Sequence, residues 1–196
     1  MHYFSRLLVS VALLISVASV SVAQSLESKF HVIDQMAFYE TTSIQETDLW
    51  CWAASIQMVL NTQGVEWTQK DIVKATKGSI RFETATENEI TYFLNGWGFD
   101  YDGEPWESSA THYRGPMPFE DLIEEIDNDR PVIATYKTGP TSGHAVVIYA
   151  VLVSRGRVHS IYLFDPLSGE KEAISPRAFR MRTTNTWAVE VVNDEI

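Results

Sequence analysis

The chain has 196 residues, 45% of them hydrophobic, and a formal net charge of −11 at pH 7, a length that suits one ordinary domain. Negative charge repels phosphate backbones and anionic lipid surfaces, so the composition argues against nucleic-acid binding and against a membrane-surface function. Cationic substrates or partners remain possible, although negative charge also keeps an exported protein soluble without any steering role.

Residues 1–23 have the pattern of a signal peptide. Arg6 precedes a stretch without charge over residues 7–20, and small residues occupy the positions where a signal peptidase cuts. We expect cleavage after Ala23, export of residues 24–196 to a secreted or periplasmic location, and no stable membrane association afterwards. The alternative is an uncleaved anchor, because the apolar stretch is nearly long enough to span a bilayer.

Cys51 is the only cysteine, and it lies where a helix is predicted to begin. Thr47 or Asp48 can cap this helix, and the apolar residues after Cys51 carry it to Asn61 or Gly64. Free N–H groups and the helix dipole favour a thiolate in the first turn, and the thiolate is the nucleophilic form of cysteine. A lone cysteine is otherwise a small core hydrophobe, so a catalytic interpretation requires partners.

Three more helices are predicted in the N-terminal part of the chain. Capping residues and glycine stops place them at Thr68 to Ala75, Thr86 to Leu94 and Pro118 to Ile126. The segment from Trp97 to Pro116 has no clear period and is predicted as a long loop rich in aromatic and acidic residues. Such a loop either lines a substrate groove or folds over the core, and the sequence leaves both open.

The C-terminal half is predicted as antiparallel sheet. Its β-branched, apolar stretches have strand length, and a turn at Ser154 to Arg157 joins two of them into a hairpin. The predicted strands are Pro131 to Tyr136, His144 to Val153, Val158 to Phe164 and Trp187 to Val192.

The hairpin brings a base and an acid together. A turn centred between Arg155 and Gly156 pairs Val146 with Asp165, and His144 lies two residues further along the same strand. Since side chains alternate, His144 and Asp165 become diagonal neighbours on one face. This is the geometry of a base held by an orienting acid.

The other histidines are weaker candidates. His2 leaves with the signal peptide, His31 lies close to the new N-terminus, His112 is in the predicted loop, and His159 follows the hairpin turn. None has an obvious acid partner in the sequence. No group of His, Cys, Asp and Glu has convincing metal-ligand spacing, so neither a metal site nor a cofactor is expected.

Four positions together resemble the papain-like cysteine peptidases. They are Gln45, Cys51 at a helix start, His144 opening an apolar strand, and Asp165 closing the next strand. The cysteine-rich sequence of papain and the cathepsins is absent, and the histidine follows sooner. The sequence looks more like the compact bacteriocin-leader-processing peptidases and the similar bacterial group with a Trp-Cys-Trp-Ala-Ala motif, some of them secreted effectors. In this chain that motif spans Trp50 to Ala54.

The resemblance implies an α+β papain-like fold, with an N-terminal helical half packed on a C-terminal antiparallel β-sheet. It also implies a nucleophile at Cys51, a base at His144, an orienting acid at Asp165 and an oxyanion donor at Gln45. The implied function is a secreted bacterial thiol protease acting on a peptide or protein. The alternatives are another amide hydrolase, a transglutaminase-like acyl transferase, a non-catalytic peptide-binding module, and a structural domain with a buried cysteine. Oligomeric state stays open.

Overall fold

The computed structural model describes residues 27–100, 102–139 and 142–192. The predicted signal peptide lies outside the described residues. The described chain forms six helices and eight strands, and no helix in it is both long and apolar enough to cross a membrane. In chain order these are β1 (Ser28–Val32), α1 (Gln35–Thr41), α2 (Cys51–Thr62), α3 (Gln69–Lys77), α4 (Glu87–Leu94), β2 (Trp97–Phe99), β3 (Pro105–Tyr113), α5 (Phe119–Asp127), β4 (Val132–Lys137), β5 (Gly143–Ser154), β6 (Arg157–Asp165), β7 (Glu170–Ile174), α6 (Pro176–Arg182) and β8 (Thr183–Val192).

All eight strands belong to one antiparallel sheet, and seven of them follow the order β2-β3-β8-β4-β5-β6-β7. Strand β1 pairs with the C-terminal half of β5, beside the part of β5 that pairs with β4. Helix α2 packs against β5 and β4, so the helix that begins at Cys51 lies on the centre of the sheet. The largest fully buried side chains include Trp50, Phe38, Phe179 and Trp187.

Helix α2 begins at Cys51, as the sequence predicts, but its cap differs. Trp50 is the N-cap residue and no side chain caps the helix, so the predicted cap at Thr47 or Asp48 is wrong. The reason is a tight turn in which the Trp50 N–H donates to the Thr47 carbonyl over 3.1 Å, while the Trp50 indole is buried in the core. The first N–H groups of the helix therefore stay free of a capping side chain.

The hairpin turn has the predicted position. Arg155 and Gly156 both have positive φ, 53° and 68°, as a two-residue type I′ turn requires. The next pairs out from the turn, Ser154 with Arg157 and Val153 with Val158, follow the predicted register.

Farther from the turn, two irregularities first shift the pairing register of the hairpin by one residue and then restore it. His159 is an extra residue on β6, and Tyr149 is an extra residue on β5. Because one lies on each strand, they cancel, and Val147 pairs with Phe164. The end of the hairpin that carries His144 and Asp165 therefore has the register predicted for an unbroken ladder.

The predicted loop from Trp97 to Pro116 is wrong, because most of it is strand β2 and strand β3. Along β3 buried Trp106 and Ser108 alternate with exposed Glu107 and Ser109. The alternation has the strand period, but a buried serine replaces an apolar residue, so hydrophobicity alone does not reveal it. The other elements absent from the prediction are β1, α1, β7 and α6.

Candidate active site

Cys51 and His144 line the same cleft, which has a volume of about 330 Å3. Cys51 comes from the first turn of α2, and His144 is the second residue of β5, the strand on which α2 packs. Cys51 is 7% exposed, so its thiol is reached through this cleft. The structure thus brings together two residues that are far apart in the sequence.

His144 also contacts Asp165, at the end of β6. The His144 Nε2 and the Asp165 Oδ1 are 2.7 Å apart, and the same carboxylate oxygen accepts the Leu167 N–H over 2.8 Å. The second bond fixes the carboxylate in the turn that follows β6. Since Nε2 faces Asp165, the ring nitrogen left for Cys51 is Nδ1.

The surroundings of His144 act on its protonation. Burial lowers the pKa of His144, but the nearby Cys51 side chain, the hydrogen bond to Asp165 and the negative charge of Asp165 raise it, and the net direction is upward. The imidazolium therefore persists to a higher pH than in an ordinary histidine. A positive imidazolium beside a thiol is the condition for a thiolate–imidazolium pair.

Gln45 is buried in the segment that leads into α2. Its Nε2 donates to the Thr47 carbonyl over 2.8 Å, and its Oε1 has no partner among the described residues. One of the two amide hydrogens of Nε2 is used by Thr47. Gln45 is not among the residues that line the cleft, so its side chain does not lie at the cleft surface.

A second glutamine, Gln69 at the start of α3, holds the backbone on both sides of Gln45. Its Nε2 donates to the Ile44 carbonyl over 2.9 Å, and its Oε1 accepts the Glu46 N–H over 2.8 Å. Gln69 is 1% exposed. The sequence offers only one signal for this residue, a polar side chain just after the Thr68 cap.

Two indoles anchor the segment that borders the cleft before α4. Trp50 Nε1 donates to the Arg81 carbonyl over 2.8 Å, and Trp52 Nε1 donates to the Glu83 carbonyl over 3.3 Å. Thr84, which follows, lines the cleft. The tryptophans of the nucleophile motif therefore shape one wall of the cleft.

A polar network lies along the same wall. In the orientation that satisfies its neighbours, the Asn185 amide nitrogen donates to His112 Nε2 over 3.0 Å and to Glu87 Oε2 over 3.1 Å. The His112 ring stacks on Trp187, with ring centroids 4.7 Å apart. Glu87, Asn185 and Trp187 line the cleft. His112 therefore supports the cleft from behind, which the sequence did not indicate.

The remaining histidines lie elsewhere. His31 has an acid partner that the sequence did not reveal, because its Nδ1 is 2.7 Å from Asp127 Oδ1. Neither residue lines the cleft. The only side-chain hydrogen-bond partner of His159 among the described residues is the neighbouring Ser160 hydroxyl, 3.1 Å from Nδ1. Within that part there is no group of three or more His, Cys, Asp or Glu side chains arranged to hold a metal ion.

A family model and a solved structure both match this chain. The model of the Peptidase_C39 like family matches residues 28–189. Among solved structures, the chain is similar to the peptidase domain of Streptococcus ComA, which is a bi-functional ABC transporter involved in a quorum-sensing pathway. That match has 16% identity and a TM-score of 0.54, and covers 78% of this chain and 97% of the other. No curated protein sequence matches the chain significantly.

These comparisons confirm the fold predicted from the sequence. The likeness to the peptidase domain and the family match both indicate the papain-like arrangement of helices and antiparallel sheet. The order of the predicted elements also agrees, since the Cys51 helix precedes the strands that bear His144 and Asp165.

Proposed function

Because the chain belongs to the Peptidase_C39 like family and is a cysteine peptidase, we propose that Cys51, His144 and Asp165 are its catalytic triad and that Gln45 is an oxyanion donor. The observation that carries the proposal is the 2.7 Å contact between His144 Nε2 and Asp165 Oδ1, with Cys51 lining the same cleft as His144. The reaction is hydrolysis of a peptide bond through a thioester.

In the first half of the reaction, His144 Nδ1 holds the proton of the Cys51 thiol. The thiolate attacks the carbonyl carbon of the scissile bond, and the carbonyl oxygen becomes an oxyanion. The imidazolium then gives its proton to the leaving nitrogen, the C–N bond breaks, and a thioester to Cys51 remains. Asp165 stabilises the imidazolium throughout, because its carboxylate accepts the Nε2 hydrogen.

In the second half, water enters the place of the leaving amine. His144 takes a proton from the water, the hydroxide attacks the thioester carbonyl, and the C–S bond breaks. The product leaves as a carboxylic acid, and the thiolate–imidazolium pair is restored. No redox partner and no net proton change on the enzyme are needed.

The oxyanion is held by backbone and side-chain N–H groups. The Cys51 N–H lies at the start of α2, where the first four N–H groups have no intrahelical acceptor and no side chain caps the helix. We place the second donor at Gln45 Nε2, whose remaining hydrogen is not used by Thr47. Because the Gln45 side chain does not line the cleft, substrate binding must draw its amide toward the carbonyl oxygen of the scissile bond.

The test of this proposal is a digest of a peptide library by residues 24–196 and by its Cys51→Ala variant. We expect cleavage by the wild-type protein and none by the variant. A primary amine is supplied in parallel. Conjugates formed in place of acids would show a transglutaminase-like transferase, and equal cleavage by the variant would overturn the triad.

We also propose that the enzyme acts outside the cytoplasm, after removal of residues 1–23. The support is the charge-free stretch after Arg6 and the small residues that end at Ala23. N-terminal sequencing of the protein from an expressing bacterial culture tests this proposal. An exported chain beginning at Gln24 would support it, and an intact chain in the membrane fraction would contradict it.

A further inference from the structure

A second cavity, outside the active-site cleft, lies between α3 and the edge of the sheet. It has a volume of about 440 Å3 and shares no lining residue with the cleft. Trp67, Ala75 and Phe99 form its apolar lining. Phe99 belongs to β2, the edge strand, and is 62% exposed, while Trp97, two residues earlier on the same face, is 79% exposed. Large exposed aromatic residues at a cavity mark a surface that binds a partner.

Carboxylates surround this apolar lining. Glu66, Asp71 and Asp100 line the cavity, and none of them forms a salt bridge with a basic side chain of the described residues. Asp100 Oδ1 accepts two backbone N–H groups, from Asp102 and Glu104, which fix the carboxylate without neutralising it. Lys74 is the one basic residue in the lining, so the cavity has a net negative charge.

We propose that this cavity is a docking site for a segment of the substrate that carries lysine or arginine beside apolar side chains. Aromatic rings attract a cation over their faces, and carboxylates bind ammonium or guanidinium groups. The net charge of −11 draws such a segment toward the enzyme. The proposal rests on the proposed function only in identifying the occupant as part of the substrate.

One helix connects the docking site with the active-site cleft. Ile90 of α4 lines the cleft, and Phe93 of the same helix packs against Trp67 with ring centroids 5.5 Å apart and a 70° interplanar angle. Helix α4 therefore lines the cleft directly and contacts the docking site through Trp67. A polypeptide that occupies both at once gains affinity, because the second contact becomes intramolecular.

Binding is tested with the inactive Cys51→Ala protein, so that the probe is not consumed. The probes are a short labelled peptide of alternating lysine and leucine and a matched peptide of glutamate and leucine, followed by fluorescence anisotropy. We expect the basic peptide to bind and the acidic one not to bind. Raising the salt concentration to about 0.5 M should weaken binding, because the Debye length falls. Equal binding of the two peptides would overturn the proposal.

Substitutions in the cavity test whether the basic peptide binds there. Combining Glu66→Gln with Phe99→Ala should weaken binding roughly tenfold, since one carboxylate and one ring are lost. The matched control combines Glu124→Gln with Tyr92→Ala, an exposed acid and an exposed aromatic residue outside the cavity lining, and should bind as the unsubstituted protein does. Unchanged binding by the first variant would contradict the assignment.

A hydrolysis measurement then links the docking site to catalysis. A peptide that the enzyme cleaves is extended with the lysine–leucine segment, and kcat/KM should rise about tenfold in the wild-type protein but not in the cavity variant. Binding without any hydrolysis would keep the docking site and reject the peptidase proposal. If the enzyme hydrolyses both peptides with equal kcat/KM, the cavity does not bind the substrate, and the docking proposal is rejected while the peptidase proposal stands.

Discussion

The backbone N–H of Gln45 donates to the carbonyl of Pro166 over 2.9 Å. This bond ties the segment that leads to Cys51 to the residue that follows Asp165. The neighbouring Ile44 side chain lies against Gly169, in the turn between β6 and β7. The segment before the proposed nucleophile and the residue after the proposed orienting acid are therefore joined by a direct backbone hydrogen bond.

Substitution of the acid tests its action on the base. Asp165→Asn removes the negative charge that raises the pKa of His144 and leaves only a weaker, neutral acceptor, so the pKa falls. The imidazolium is then lost at lower pH. We expect kcat/KM to fall on the order of a hundredfold, and its alkaline limb to move to lower pH. The matched control is Asp127→Asn, which disrupts the other His–Asp pair, at His31, and should leave the pH profile unchanged.

The same pair affects stability in a defined pH range. A pKa raised on folding stabilises the native state below the ordinary histidine value, and this contribution is lost as pH rises through the raised value. We expect the difference in Tm between wild type and His144→Gln to be largest in mildly acidic solution and to shrink with rising pH. A difference that grows with pH would contradict the upward direction of the His144 pKa.

Gln45→Ala should reduce kcat by about a hundredfold to a thousandfold, because one oxyanion donor is lost while the thiol remains. The measurement is steady-state hydrolysis together with thiol labelling. Labelling of Cys51 should be nearly unaffected, since alkylation forms no tetrahedral oxyanion. A variant with full kcat would show that the amide stays bound to Thr47 and does not serve catalysis.

Gln69→Leu tests a positioning role. The substitution keeps side-chain size but leaves the Ile44 carbonyl and the Glu46 N–H without their partner, so we expect a loss of about 1–3 kcal/mol in the free energy of unfolding. It should also lower kcat, because the Gln45 segment loosens. KM should change little.

The control is Gln63→Leu, which removes a similar bridge to the Val189 carbonyl and the Val191 N–H, away from the cleft. It should destabilise the protein to a similar degree and leave kcat unchanged. Equal losses of kcat in the two variants would indicate a general effect of instability rather than positioning.

Much of the site follows from local rules in the sequence. The helix beginning at Cys51 was predictable because an apolar run follows it, and the His144–Asp165 contact was predictable because a glycine turn fixes hairpin register. The two extra residues, His159 on β6 and Tyr149 on β5, cancel each other's effect on the hairpin register. Neither was predictable, because no side-chain pattern marks an extra residue in a strand.

The contacts that form the walls of the cleft could not be predicted from the sequence, for a different reason. Gln69 contacts the Gln45 segment, and Asn185 contacts His112 and Glu87, only through tertiary packing over long sequence separations. Strand β3 was missed because Ser108 occupies a buried position, where its hydroxyl donates to the Leu94 carbonyl over 2.9 Å. A polar residue satisfied in the core is invisible to hydrophobic periodicity.

The most direct test of the account is the rate at which a thiol-directed epoxide labels Cys51 at neutral pH. The thiolate–imidazolium pair predicts labelling at least about tenfold faster than that of free cysteine, and loss of this advantage in His144→Ala. Labelling no faster than free cysteine, or labelling only in denaturant, would mean that Cys51 is a buried structural residue and would contradict the proposed triad.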